Sequence, residues 1–350
     1  MAINYAIKYA TKIAERFKKA SITADDCGNS YSWLNPNSRT IRIGSVNTVP
    51  ETQYTRSGSN RFGEVHDVGD TLQEMTCEQQ PAFSFTIDAL DQTDQAIQKS
   101  AGSALRRQLD EVTIPGMDKH RIKKWVMGAN IAVQEPTKPT KGNIGSLIID
   151  LNAKMTDALV PLEGRTLYIA TEYYKLLKQM PDYIGVDALG KEALAKGVVG
   201  EFDGCRVKPI PTSYMPAGVY FFIKHKGCTV DPVKLQKYNI LTEVQGYSGP
   251  VVQGVTYYDS FVLGAKGDGV AVCGNAAILA APGLSISGHA VTIATAAGVV
   301  FKYTTDGTNP RYSTTAEVYT APVTLTAGQT MRAVGTKDGC VGIEGTKDYE

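Results

Sequence analysis

The sequence predicts an α+β protein in which a mixed body of helices and strands is followed by a small all-β sandwich. Residues 82–87 alternate apolar and polar side chains as a strand does, and a helical stripe of apolar residues starts at Ile97. Residues 143–159 carry a second helical stripe, and several strand-like stretches follow it. From about residue 276 the chain is rich in Ala, Gly, Thr and Val, and the helical periodicity disappears.

The composition is that of a soluble globular protein with a large core. The 350 residues are enough for two or three domains, and 36 Lys and Arg against 35 Asp and Glu leave a formal net charge of +1. A charge this small excludes a global attraction to nucleic acid or to a membrane surface. No apolar run approaches the roughly 20 residues that a membrane span needs, so no membrane partner is expected.

The cysteines predict reduced thiols in a protein that is made in the cytosol. Their spacing is wide and irregular, so no pair has the short separation of a zinc or redox motif. The amino terminus lacks the continuous apolar segment of a signal peptide. The cysteines are Cys27, Cys77, Cys205, Cys228, Cys273 and Cys340.

The amino-terminal segment predicts an arm and a projecting hairpin. Residues 3–20 repeat apolar side chains with a helical period, and Ile7 and Phe17 lie on the apolar face. Residues 39–80 contain two extended stretches around a polar, glycine-bearing segment, which indicates a large hairpin. Such a hairpin buries little by itself, so we expect it to pack on a neighbouring subunit.

A long helix is the predicted spine of the body. Its apolar stripe runs from Ile97 to Val112, and Arg106 and Arg107 lie on the solvent side. Pro115 and the glycine after it are expected to break this helix, and a shorter helix follows the break.

The next segment predicts a mixed α/β block. A helical stripe runs to Leu159, a strand follows at residues 166–170, and Thr171 is the expected N-cap of the next helix. Asp203 and Gly204 between extended residues indicate a hairpin. The other strands predicted in this block are residues 218–223, 238–245 and 251–263.

No catalytic or metal-binding constellation emerges from the sequence. Gly185 to Glu192 resembles a phosphate-binding loop, but a carboxylate stands where the magnesium-binding hydroxyl is needed. His120 lies among basic residues, which favours a solvated helix face over a catalytic base. The paired acids Asp25 and Asp26 adjoin a loop, and the four histidines lack metal-site spacing. We therefore expect no enzyme, no cofactor and no metal.

Four short phrases lie at the boundaries of these parts. They are Asp91-Gln-Thr-Asp94, Val160-Pro-Leu-Glu-Gly-Arg165, Gly204-Cys-Arg-Val-Lys-Pro-Ile-Pro211 and Tyr258-Asp259. With this order of parts, residues 1–275 resemble the major capsid proteins of tailed phages, which have the Hong Kong 97-type coat fold. The resemblance implies an N-terminal arm (1–38), an extended hairpin or E-loop (39–80), a spine helix with the peripheral domain (81–142), an axial domain (143–250) and return strands of the peripheral domain (251–275).

The last block resembles a different family. Its phrases are Tyr303-Thr-Thr-Asp306-Gly307-Thr-Asn-Pro310, Tyr319-Thr-Ala-Pro322 and Gly328-Gln-Thr-Met-Arg-Ala333. Residues 276–350 therefore resemble the immunoglobulin-like domain at the C-terminus of chitobiases and hexosaminidases. The block has few lysines and arginines to face packaged DNA, so we expect it on the outer surface of a shell.

Together the two resemblances imply a major capsid protein that assembles with itself into hexamers and pentamers of an icosahedral shell around double-stranded DNA, without sequence specificity. They imply a separate scaffolding protein and a portal as partners, and a virion component made in the bacterial host cytoplasm. For the outer domain three roles stay open: reinforcing neighbouring capsomers, binding glycans, and serving as an inert spacer. An extracellular glycan-binding or adhesin module is the alternative, and a glycan-acting enzyme is a third interpretation. The expected inter-subunit contacts are Ile7, Phe17, Arg61, Phe62, Arg106 and Arg107.

Overall fold

The computed structural model divides into two compact units. The first consists of Met1–Asn29, Cys77–Ile278 and Gly339–Val341, and the second of Ser30–Thr76, Leu279–Asp338 and Gly342–Glu350. None of the helices that the structure describes is long and apolar enough to cross a membrane. The described residues are 21–29, 31–34, 39–46, 53–57, 61–62, 70–86, 101–179, 184–185, 200–241, 245–246, 251–275, 278–326, 328–337 and 340–349. The predicted arm helix and the start of the predicted spine lie outside them.

The predicted spine is continuous through its proline. A π-helical turn joins the first two α-helices, and Pro115 stands in the first turn of the second, a position that tolerates proline. The prediction that Pro115 breaks the helix is therefore wrong, because the wider turn before it absorbs the irregularity. The helical segments are α1 (Ala101–Gln108), the π-turn (Leu109–Thr113), α2 (Ile114–Met127), α3 (Ile144–Asp157) and α4 (Thr171–Leu177).

The strands are numbered in chain order. Those before residue 200 are β1 (Ser32–Trp33), β2 (Thr40–Val46), β3 (Asp70–Thr76), β4 (Ala82–Thr86), β5 (Ile131–Gln134), β6 (Arg165–Ala170) and β7 (Ile184–Gly185). The next are β8 (Gly200–Phe202), β9 (Cys205–Ile210), β10 (Val219–His225), β11 (Thr229–Val230), β12 (Val233–Leu241), β13 (Val251–Tyr258), β14 (Phe261–Val262) and β15 (Val270–Gly274). The last are β16 (Ile278–Leu279), β17 (Leu284–Ser287), β18 (Ala290–Ile293), β19 (Val300–Thr304), β20 (Glu317–Val318), β21 (Val323–Thr324), β22 (Thr330–Thr336), β23 (Val341–Gly342) and β24 (Glu344–Asp348).

A mixed sheet forms the centre of the first unit. Within the described part of the chain its strand order is β5-β15-β10-β6-β9-β8-β7. The middle strand β6 runs parallel to β9 and antiparallel to β10, and all of its side chains are buried. Such burial on both faces is typical of a central strand that is covered on each side. The strands expected at 166–170 and 218–223 are thus confirmed.

Tight turns and further sheets also belong to this unit. Asp203 and Gly204 join β8 to β9 with φ values of 49° and 71°, which confirms the predicted hairpin. Strands β12, β13 and β4 form a separate antiparallel sheet, so the expected strand at 82–87 pairs with a returning strand. No disulfide joins the six cysteines, all of which lie in the described ranges.

Two local predictions in this unit are wrong. Helix α3 ends at Asp157, and Leu159 adopts a left-handed conformation with φ of 58° and is 90% exposed. Leu159 therefore does not continue the buried stripe. Thr171 is the first residue of α4 rather than its cap, and its hydroxyl donates to the Ile210 carbonyl at 2.9 Å.

The second unit contains a hairpin and a sandwich. Strands β2 and β3 pair antiparallel from Thr40 opposite Thr76 to Val46 opposite Asp70, which confirms the two extended stretches. The sandwich pairs β17-β18-β21 in one sheet and β20-β19-β22-β24 in another, which confirms an all-β C-terminal block. Its core draws on both sheets and consists of Val291, Ile293, Phe301, Leu325, Met331 and Ala333.

Neighbouring isoleucines on α3 provide a matched test of this packing. Ile148 is fully buried, whereas Ile149 is 47% exposed. Ile148→Ala should lower the free energy of unfolding by about 2–5 kcal/mol, because it removes apolar contacts and leaves a cavity. Ile149→Ala should change it by about 0.5 kcal/mol or less. Urea unfolding of the unassembled protein measures both values. Equal losses would contradict this orientation of the helix, in which Ile148 and not Ile149 packs on the core.

Candidate assembly interface

The short segment of residues 21–29 is fixed to the first unit by buried carboxylates. Asp26 ends a 3-10 turn and is fully buried. One of its oxygens accepts hydrogen bonds from Lys208 Nζ at 2.8 Å and the Tyr168 hydroxyl at 2.6 Å, and the other accepts from Arg206 at 2.9 Å. The backbone carbonyl of Asp26 accepts a further bond from Lys224. One acid of the segment thus faces three basic side chains of the central sheet.

The pKa values of Asp26 and Tyr168 depend on the charged groups around them in this cluster. Burial alone would raise the pKa of Asp26, but the charge and hydrogen bond of Lys208, with help from Tyr168 and Arg206, hold the pKa below its ordinary value. Burial and the nearby Asp26 raise the pKa of Tyr168 well above its usual range. The Lys224 ammonium also lies 4.4 Å from the centre of the Trp125 ring, a cation–π contact.

Two acids of the body hold the flanks of the same segment. Asp118 accepts from the Ser21 hydroxyl at 2.6 Å and from the Ile22 amide at 2.9 Å. Asp231 accepts from the Gly28 amide at 3.0 Å and from the Trp125 indole N–H at 3.0 Å. A Cβ on Gly28 would lie 1.7 Å from a backbone oxygen, so only glycine permits this close approach. The segment is therefore held at both ends.

A third body acid joins α2 to the returning strands. Asp259 is fully buried and accepts from the Glu78 amide at 2.9 Å and the Ser260 amide at 2.8 Å, and it lies 2.8 Å from His120 Nε2. Burial alone would raise the pKa of Asp259, but the bond to His120, the charge of Lys124 and the two amides hold it below its ordinary value.

These contacts overturn two interpretations of the sequence. His120 is not on a solvated basic face, because its ring is mostly buried against Asp259, and the nearby Arg121 is buried as well. Asp26 is not a loop acid at the surface, although Asp25 remains exposed. The sequence does contain a signal for the buried cluster around Asp26, because Lys208 and Lys224 lie within otherwise apolar strands. A buried lysine requires an acid or a carbonyl nearby.

The predicted contact residues lie in different places. Ile7 and Phe17 are outside the described residues. Arg61 and Phe62 lie in the hairpin excursion between β2 and β3, where Phe62 is 84% exposed and its ring centre is 5.0 Å from that of Tyr54. Arg106 and Arg107 lie on the spine and pair with acids one turn ahead, at 4.0 Å from Asp110 and 2.7 Å from Glu111.

The described histidines have structural partners. His225 Nδ1 accepts from the Gly227 amide at 3.1 Å, and His289 Nδ1 lies 2.7 Å from the Tyr349 hydroxyl. In the described residues, no group of three or more His, Cys, Asp or Glu side chains could hold a metal ion. Most of the loop from Gly185 to Glu192 is outside the described residues.

Comparison with solved structures identifies the fold. The capsid of Ralstonia phage GP4 aligns with a TM-score of 0.60 at 11% identity, over 77% of this chain and 94% of that one. A chain of Mycobacterium phage Che8 aligns with a TM-score of 0.57 at 18% identity, over 78% and 98%. The capsid structure of Cyanophage P-SCSP1u gives a TM-score of 0.57 at 13% identity, over 77% and 92%. The fold is that of a phage capsid protein.

The C-terminal block attached to this capsid fold has its own relatives. Residues 280–343 match the family described as the chitobiase/beta-hexosaminidase C-terminal domain. This match confirms the resemblance that the phrase from Tyr303 to Pro310 suggested. No curated protein sequence matches the chain.

The anchoring role of Asp26 can be separated from that of its neighbour. Asp26→Asn should lower the free energy of unfolding by about 3–5 kcal/mol, because it leaves the buried Lys208 without its nearest counter-charge. Asp25→Asn is the control, since Asp25 is exposed and 3.7 Å from the same lysine, and it should cost about 1 kcal/mol or less. Urea unfolding at pH 7 measures both. Similar losses in the two variants would contradict the anchor.

The lowered pKa of Asp259 predicts a loss of stability in acid. A carboxyl whose pKa is lower in the folded state stabilises the fold fully above its unfolded value of about 3.9, and this contribution disappears as the pH falls through the folded value. The free energy of unfolding should therefore decline below about pH 5, and less steeply in Asp259→Asn. The exposed Asp268→Asn is the control and should keep the wild-type slope. If Asp259→Asn left the dependence of the free energy of unfolding on pH unchanged, this explanation would be wrong.

Proposed function

We propose that this chain is the major capsid protein of a tailed phage. It assembles with copies of itself into hexamers and pentamers that close an icosahedral shell around double-stranded DNA. The observation that carries the proposal is the capsid fold over about three quarters of the chain. The alternative of an extracellular adhesin accounts for the C-terminal block alone and leaves that fold unexplained.

Exposed apolar side chains on the hairpin support assembly. Phe62 retains most of its surface, and Tyr54 and Leu72 are about half exposed. Exposed apolar side chains of this kind are costly in an isolated protein when they form a patch, and such surfaces usually bind partners. We propose that this partner is a second copy of the chain.

The six contact residues are retained in this proposal. Ile7 and Phe17 would belong to an arm that lies on a neighbouring subunit, and Arg61 and Phe62 to the hairpin that reaches it. The ion pairs of Arg106 and Arg107 with acids of the same helix are exposed or half-buried, so they contribute little to monomer stability. These arginines can therefore exchange their partners for acids of another subunit at small cost.

Further parts of the proposal concern the rest of the particle. The chain would be made in the host cytoplasm and become a virion component, with help from a separate scaffolding protein and a portal. The chain would consist of an N-terminal arm (1–38), an extended hairpin (39–80), the spine helix with the peripheral domain (81–142), an axial domain (143–250), return strands of the peripheral domain (251–275) and the immunoglobulin-like domain (276–350). The C-terminal domain, with few basic residues, would lie on the outer surface, where glycans are its candidate ligands.

Deletion of the hairpin excursion tests the proposal. Replacing residues 47–69 by a short Gly-Ser turn should leave the free energy of unfolding of the first unit unchanged, because the deleted residues belong to the other unit. The variant should fail to form capsomers or shells, whereas the wild-type chain should form them. Size-exclusion chromatography and negative-stain electron microscopy measure assembly.

The single substitution Phe62→Ala is the finer companion to this deletion. It should weaken assembly without changing monomer stability, since the exposed ring buries little surface in the isolated chain. Closed shells from the deletion variant would refute the proposed role of the hairpin. A wild-type chain that stays monomeric at assembly concentrations would refute the proposed function.

A further inference from the structure

The hairpin of the second unit has two unlike faces. Ile41 pairs with Met75 and Ile43 with Gln73, so these four side chains share one face of the ribbon. Ile41 and Met75 are fully buried, whereas Leu72 on the opposite face is 48% exposed. A two- or three-stranded sheet is too small to bury side chains by itself. Other residues must therefore pack against the face that carries Gln73, which we call the covered face.

A loop of the sandwich is buried although loops normally face solvent. Thr308 and Asn309, in the connection between β19 and β20, are fully buried or nearly so. The loop is shaped within the sandwich, because Asp306 accepts from the Thr308 amide at 3.0 Å and from the Thr315 hydroxyl at 2.6 Å. Its conformation is therefore held by hydrogen bonds within the sandwich.

The loop and the covered face meet through a reciprocal pair of hydrogen bonds. The Gln73 side-chain amide donates to the Asn309 carbonyl at 3.5 Å, and the Asn309 amide donates to Gln73 Oε1 at 3.4 Å. Both bonds are long, but together they use the backbone N–H and the backbone C=O of one residue, as a neighbouring antiparallel strand does. The hairpin and the sandwich also belong to the same compact unit.

We propose that the C-terminal sandwich is a brace for the projecting hairpin. Its loop of residues 308–310 docks on the Gln73 face of β3 in the same chain. The sandwich then fixes the direction in which the hairpin leaves the subunit. This consequence for assembly rests on the proposed function, whereas the docking itself does not. The brace gives the domain a mechanical role that differs from glycan binding and from an inert spacer.

Amide hydrogen exchange of the full-length, unassembled chain tests the docking. Gln73→Ala removes both hydrogen bonds, and Gln73→Met removes them while keeping the length of the side chain. Either variant should speed exchange of the Asn309 amide by roughly two- to tenfold, the range expected for loss of a net hydrogen bond. Leu72→Ala, on the opposite face, is the matched control and should leave that amide unchanged. The Thr308 amide, bonded to Asp306 inside the loop, is the internal reference.

The outcomes separate the brace from the proposed function. Unchanged exchange at Asn309 in both Gln73 variants would overturn the docking, even if the wild-type chain builds shells. Equal acceleration at Thr308 would also overturn it, because the loop would then be opening within the sandwich. Selective acceleration at Asn309 supports the brace even in a chain that fails to assemble. In an assembling chain, Gln73→Met should also lower the yield of closed shells relative to the wild type.

Discussion

Buried carboxylates that face buried bases hold the body of this protein to its amino-terminal segment. Asp26 brings one negative charge to Lys208 and Arg206, and Asp118 and Asp231 hold the residues on either side of it. An ion pair in such a place adds little stability over an apolar packing, but it is costly to break. The ion pair therefore determines where the segment binds on the sheet more than it adds to the free energy of unfolding. Residues 21–28 are therefore held in one position on the first unit.

The sequence alone was sufficient to predict those elements whose type follows from a local pattern of residues. The strand β6, the stripe of α3 and the Asp203–Gly204 turn follow from local patterns, and so does the change of texture that marks the sandwich. The failures have physical causes too. Leu159 and Pro115 lie at helix ends, where a single turn can change hydrogen-bonding pattern without altering the apolar spacing around it.

The charged site was beyond the reach of local patterns. Asp26 and Lys208 are 182 positions apart, and His120 and Asp259 are 139 apart, so no spacing rule connects them. The lysines within apolar strands indicated that acids must be near, but not which acids. The contact residues were inferred from the capsid resemblance. The structure leaves Phe62 exposed, which fits a contact completed by another subunit.

The most direct test of this account is a cryo-electron microscopy reconstruction of particles formed by the full-length chain. The account predicts rings of five and six subunits, with density for residues 47–69 resting on an adjacent subunit and the sandwich against the base of its own hairpin. Particles without such rings, or a hairpin that contacts only its own subunit, would contradict it.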